Sequence, residues 1–215
     1  MTEPAFLHAT RVSYDAIAAD YAERYAGVHD AQPLALAMLD AFAALVRTTG
    51  GGPVVEVGSG PGEVTARLHA QGLDVRGVDL SPAMVALARR DHPQLRFEEG
   101  SMTALDLGDG ALRGLVSWYS LIHIAPEAVP AALTEFHRVL APGGLLLLGF
   151  QVGDEPLSFT EAFGHAVDLD FHRLRPEKIE VLLREAGFTV QARMERAADP
   201  DESTPQAYLL ARKAR

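Results

Sequence analysis

Ten residues constrain this chain more than any others: Val54-Val55-Glu56-Val57-Gly58-Ser59-Gly60-Pro61-Gly62-Glu63. A short apolar run, the pattern of a buried strand, enters three alternate glycines, and helical periodicity resumes from Glu63 to Ala70. Glycines at such a corner permit a tight turn and let a ligand lie against the backbone, with no Cβ in the way. A turn of this kind suits any doubly wound fold, so the spacing has to be weighed. A dinucleotide fingerprint runs Gly-x-Gly-x-x-Gly, with helix-terminal amides facing a pyrophosphate. Here the third glycine comes one residue early and Glu56 stands before the first. A carboxylate there is ill suited to phosphate and well suited to a cationic ligand. Asp79 closes the next apolar run, 19 residues beyond Gly60. That is close to the ~20-residue offset at which an acidic side chain accepts ribose hydroxyls.

The rest of the chain alternates in the same way. Residues before Gly50 read as two helices, with Tyr14, Ile17, Ala18, Tyr21 and Tyr25 on one face of the first. The second is expected from Gln32 or Pro33 to about Val46. Further strands are expected over 73–80, 95–98, 112–117 and 145–150, the last buried on both faces as in the centre of a parallel sheet. Helices are expected after Ser81-Pro82, from Glu127 to Leu140 and from Pro176 to Ala186, with Pro142-Gly143-Gly144 as a turn. Phe188–Met194 and Gln206–Ala211 close the chain as an antiparallel pair. The order predicts right-handed βαβ units in one α/β domain. Its parts are a helical cover or lid over 1–50, a core over 51–150, an insertion over 151–175, and a closing helix and strands over 176–215.

Composition narrows the chemistry. The 215 residues contain no cysteine, which removes disulfides, thiolate metal sites and thiol nucleophiles together. A formal charge of -10 disfavours a phosphate backbone as partner. The first residues lack the apolar core of a secretory signal, and no stretch is long and apolar enough for a membrane span. The expectation is a cytoplasmic chain, monomer or homodimer, with neither nucleic acid nor membrane as partner.

Three segments in order resemble the class I S-adenosylmethionine-dependent methyltransferases of the small-molecule type. Glu56-Val57-Gly58-Ser59-Gly60-Pro61-Gly62 is similar to that family's first motif, (D/E)-x-G-x-G-x-G. Gly77-Val78-Asp79-Leu80-Ser81 with Pro82-Ala83-Met84 resembles its second. Phe136-His137-Arg138-Val139-Leu140-Ala141-Pro142-Gly143-Gly144 resembles the helix–turn before its fifth strand. The resemblance spans roughly residues 12 to 213 and implies a Rossmann-like doubly wound seven-stranded sheet in which only the last strand is antiparallel.

The resemblance also assigns roles. Gly58, Ser59, Gly60 and Gly62 would pass under the methionine and ribose of S-adenosylmethionine, Glu56 would orient the loop and the amino group, and Asp79 would take the ribose hydroxyls. Leu80 and Met84 would flank the adenine, although Met84 equally suits core packing. Relatives often carry a Gly-Asp pair after the third strand; Gly100-Ser101-Met102 stands here, so Ser101 or the Met102 backbone would replace that carboxylate. Trp118 would stack on adenine, face the sulfonium cation or pack beneath it. Tyr14 and Tyr21 resemble the tyrosines of a helix lying over the cofactor; a purely structural amphipathic helix is the alternative.

In-line methyl transfer asks the protein to hold the acceptor and exclude water, with a base only where the acceptor keeps a proton. His123 is the candidate catalytic base, against the alternative of a packed, hydrogen-bonded histidine. Tyr119, His123, Phe159, Phe163, His165 and His172 are the candidate acceptor-binding residues, with Phe159 and Phe163 as the apolar wall of a lid helix. His165, Asp168 and His172 have a spacing that invites a metal reading, but the chemistry needs no metal and none is expected. The expected activity is methyl transfer to an O- or N-nucleophile of a metabolite or natural product. A non-catalytic cofactor-binding scaffold and a nicotinamide-dependent oxidoreductase are the alternatives.

Overall fold

The apolar runs assemble into one sheet whose two faces each need a helical layer. A computed structural model describes residues 4–27, 32–200 and 202–214. Helices α1 (Ala5–Tyr25) and α2 (Pro33–Thr48) precede β1 (Val54–Val57), α3 (Glu63–Ala70), β2 (Val75–Asp79), α4 (Pro82–Asp91) and β3 (Phe97–Glu99). Then follow β4 (Leu112–Trp118), α5 (Val129–Val139), β5 (Leu140–Gln151), β6 (Leu157–Ala162), β7 (His165–Phe171), α6 (Pro176–Glu185), β8 (Phe188–Arg196) and β9 (Gln206–Lys213). Seven strands form a sheet in the order β3-β2-β1-β4-β5-β9-β8, with β9 antiparallel to both neighbours and the other pairs parallel. Among the described residues no helix is long and apolar enough to cross a membrane.

Strand alternation splits the core between the two faces. Val55, Val57, Leu146, Leu148 and Phe150 pack on one side with Leu133 and Phe136 of α5 and Ile179 of α6. Val54, Val116, Leu145 and Leu147 pack on the other with Leu39, Phe42 and Val46 of α2 and Leu68 of α3. Both faces of β1 and β5 are thereby dry, which is why those runs read as continuously apolar. Gly114 makes room for α2: a Cβ there would lie 2.7 Å from the Phe42 ring.

Four expectations need correction. The helical region 1–50 is not a single cover. Helix α2 belongs to the sheet layer because its Leu39, Phe42, Ala43 and Val46 are fully buried against β-strands, while α1 alone lies across α4 and β7. The segment carrying Phe159 and Phe163 is no lid helix but the hairpin β6–β7. Ala162 pairs with His165 across a two-residue turn in which Phe163 (φ 53°) and Gly164 (φ 79°) are both left-handed, the geometry such hairpins require. Val167, Leu169 and Phe171 alternate with period two, and that signal outranks the four-residue spacing of the two phenylalanines. Pro142-Gly143-Gly144 lies within β5, which starts pairing at Leu140; a register shift between Leu112 and Gly114, with Gly143 at φ 77°, absorbs the glycines. The helix expected over 127–140 also begins as a 3-10 turn, Pro126–Ala128, before α5.

Candidate active site

The strand order reverses between β1 and β4, and ligands of open α/β sheets bind beyond the carboxyl ends of the strands at such a point. A cavity of ≈ 620 Å³ opens there, a size suited to a cofactor and a small partner. Gly58 (φ 67°) has to be glycine, because a Cβ would lie 2.2 Å from Cβ of Ser120. Ser120 Oγ donates to the Val57 carbonyl at 2.6 Å and meets Ser117 Oγ at 2.8 Å, tying the end of β4 to the end of β1. Gly60 (φ 51°) faces the cavity, with nothing within 4 Å of the place its Cβ would occupy. Its N–H donates to Asp79 Oδ2 at 2.7 Å, and the Ser81 N–H donates to Oδ1 at 2.8 Å. Each carboxylate oxygen keeps acceptor capacity toward the cavity, the arrangement a vicinal diol needs. Burial raises the Asp79 pKa, opposed by those two hydrogen bonds.

Three positions of the loop, Glu56, Ser59 and Gly62, serve it from below. Glu56 is buried, does not line the cavity, and accepts a hydrogen bond from Thr65 Oγ1 of α3. It therefore anchors the loop to the helix and is not placed to meet a ligand's amino group. Burial pushes its carboxyl up to about 8, against the lowering effect of Thr65. Ser59 is buried, and Gly62 makes room for the Phe97 ring, 2.6 Å from where its Cβ would stand; neither lines the cavity.

Leu80, Met84, Ser101 and Met102 form the next wall. Ser101 Oγ is engaged with Thr103 Oγ1 at 2.8 Å. Trp118, at the end of β4, stacks on Tyr208 at 5.0 Å and closes the floor, while Tyr119 (φ 54°) lines the cavity and joins its hydroxyl to that of Tyr208 at 2.7 Å.

Helix α1 straps the site. Arg11 Nε donates to the Leu80 carbonyl at 3.2 Å, and Asp15 accepts from Ser81 Oγ at 2.5 Å and from the Ala83 N–H at 3.1 Å. One helical turn serves three partners, because Ser13 Oγ accepts the Asp168 N–H of β7 at 2.9 Å and Tyr14 points at His123. Tyr14 Oη and His123 Nε2 are 2.8 Å apart, and His123 Nδ1 lies 3.2 Å from the Asp170 carbonyl. A carbonyl only accepts, so Nδ1 carries the proton and the Tyr14 hydroxyl donates to Nε2. Burial lowers the His123 pKa to about 4, so the ring is neutral at pH 7. Burial, then the neighbouring Tyr21 and Asp79, raises the Tyr14 phenol well above its ordinary value.

Beyond His123 the cavity is aromatic. Phe171 meets His123 edge-on at 4.7 Å and Phe159 at 5.3 Å, and Tyr14, Tyr21 and Tyr25 continue the wall. Phe163 lines the rim. His165 and His172 are not part of this wall: His165 pairs with Asp20 at 3.2 Å on the outside, and His172 contributes its backbone N–H to the Ile122 carbonyl. Among the described residues no group of three or more His, Cys, Asp or Glu is arranged to hold a metal ion. Phe171, Leu169, Gln151 and Gln206 also line the cavity and were not foreseen. Strand alternation was a usable signal for the first two; for the glutamines the sequence carries none.

Residues 54–144 match the family model described as a methyltransferase domain, and the fold is that of S-adenosylmethionine-dependent methyltransferases. The chain is 33% identical over 135 residues to a demethylmenaquinone methyltransferase of Beutenbergia cavernae, covering 60% of this chain and 54% of that protein. It thus spans about half the length of that curated relative. It is 25% identical, with a TM-score of 0.65, to Burkholderia thailandensis 1,6-didemethyltoxoflavin-N1-methyltransferase solved with 1,6-didemethyltoxoflavin and S-adenosylhomocysteine, covering 100% of this chain and 94% of that one. Magnesium protoporphyrin IX methyltransferase from Synechocystis shares the fold at TM-score 0.73 and 17% identity, over 100% of both chains.

Proposed function

We propose that this protein moves a methyl group from S-adenosylmethionine to an oxygen or nitrogen nucleophile of a small planar molecule. The observation that carries the reading is that one cavity joins the glycine corner and Asp79 to an aromatic chamber across the carboxyl edge of the sheet. The residues suit the cofactor: the loop leaves a Cβ-free path at Gly60, Asp79 offers two acceptor oxygens, and Leu80 and Met84 give apolar cover. When bound, S-adenosylmethionine supplies an electrophilic methyl on a sulfonium, which a nucleophile takes by in-line displacement. Tyr21 and the hairpin aromatics hold the acceptor and keep water away. His123 and Tyr14 form the proton path: an acceptor proton passes to Tyr14 Oη as the phenol proton moves to His123 Nε2. Above about pH 4 the imidazole is neutral, leaving its Nε2 lone pair open to that proton. The neighbours' small-molecule substrates and the charge of -10 agree with a small acceptor over nucleic acid.

Calorimetry tests the cofactor half. S-adenosylhomocysteine is expected to bind and NAD is not; NAD binding in its place overturns the assignment. Binding without transfer of labelled methyl to any pooled metabolite would favour a non-catalytic scaffold.

A further inference from the structure

Gln151, the last residue of β5, presents an unmet hydrogen-bonding group to the cavity. Its Oε1 is out of reach of water and has no hydrogen-bond partner, a costly state for a buried carbonyl. The backbone of Gln151 is held in place, so that only its side chain can turn toward a partner. Its own carbonyl accepts the Leu174 N–H at 2.9 Å, and the next N–H, of Val152, donates to the Pro205 carbonyl at 2.8 Å. Strand alternation puts its side chain on the face of Gly149, where the missing Cβ leaves room for the Trp118 ring at 3.0 Å. Across the ladder, Gln206 has already committed its Nε2 to the Thr204 carbonyl at 2.8 Å. Arg196 turns its terminal nitrogens to Glu202 at 2.5 Å and to Asp199 at 3.1 Å. Gln151 thus keeps an unpartnered carboxamide oxygen on a cavity that aromatic rings also line.

A carboxamide carries an acceptor and a donor side by side, and its natural complement is a ring N–H beside a C=O. Turned over, it meets such an edge equally well. We propose that Gln151 reads the acceptor by pairing with a neutral lactam-type edge, while the ring of that acceptor lies among Phe159, Phe171 and Tyr21. The proposal rests on the methyltransferase reading of the cavity and deepens it: the substrate class is a planar, uncharged heteroaromatic with a lactam or amide edge.

Calorimetric titration of the full chain, saturated with S-adenosylhomocysteine, tests it with two probes: quinolin-2(1H)-one and its N-methyl derivative. The wild type is expected to bind the N–H probe about tenfold or more tightly than the N-methyl one. Q151L is expected to bind both alike, with unchanged affinity for S-adenosylhomocysteine; Q151M provides the same test if Q151L fails to fold. Equal binding of the probes by wild type, binding of neither, or a preference that survives in the variants overturns the role of Gln151. Failure of S-adenosylhomocysteine to bind overturns the methyltransferase reading itself, and with it this one.

Discussion

The two halves of the cavity are built by different means. The glycine corner and Asp79 make a surface largely of backbone, held by β1, β2 and the Ser117–Ser120 clasp. The aromatic chamber is built of side chains on α1 and the hairpin β6–β7, each contributing from a different stretch of the chain. A backbone surface depends on side-chain atoms being absent at its glycines, so few sequences can form it. A side-chain surface can be relined without disturbing the sheet. The first half therefore defines a class of ligand, and the second chooses among its partners.

The largest effect expected on this division is at the junction. His123→Ala should lower methyl transfer by about 100-fold or more while leaving S-adenosylhomocysteine affinity unchanged, measured with the same preparation by labelled transfer and calorimetry. Turnover within a few-fold of wild type would remove His123 from the proton path. On the backbone half, Asp79→Asn should weaken S-adenosylhomocysteine by roughly 10- to 100-fold, since a carboxylate accepting hydroxyl hydrogen bonds is replaced by a neutral amide. A loss of acceptor binding with cofactor binding intact would contradict the partition.

Glu56 yields a pH signature. The folded protein keeps a proton on it up to about pH 8, whereas the unfolded chain releases that proton near 4.5. The folded state binds more protons in that window, so stability should fall as pH rises from about 4.5 to 8. Urea midpoints of Glu56→Gln should be less pH-dependent over the same range; identical slopes would show that Glu56 is ionised in the fold. His123 acts in the opposite sense, costing stability as pH drops from 6.5 toward 4, because only the unfolded chain takes up its proton there.

The smallest effect is expected at the hairpin tip. Phe163 occupies a left-handed position before Gly164, and Asn-Gly suits that turn better. Phe163→Asn should raise stability by about 1 kcal/mol in urea unfolding while weakening acceptor binding, a trade confined to the side-chain half. A loss of stability would mean that the phenyl ring contributes more by packing than it costs in strain.

How much of this was legible depended on the kind of signal. The corner at Gly58–Gly62, Asp79, the parallel core and the antiparallel ending could all be read, because each leaves a local pattern of glycine, charge or continuous apolar run. The hairpin was misread because Phe159 and Phe163 stand at helical spacing, while the period-two pattern lies further on at Val167, Leu169 and Phe171. Gln151 could not be singled out, as its lack of a partner exists only once Gln206, Thr204 and Arg196 have taken theirs.

The amino-acid sequence by itself determined the sheet, its direction of winding and the glycine corner, since these follow from backbone permissions and from strands that must be dry on both faces. Tertiary structure decided which carboxylate faces the cavity and which is buried beneath it: Asp79 ends a strand at the carboxyl edge, whereas Glu56 lies within β1 and finds Thr65. It also decided the His123 tautomer and the unpartnered carboxamide oxygen of Gln151. Those properties belong to pairs of atoms brought together across the fold, such as Tyr14 and His123, 109 residues apart.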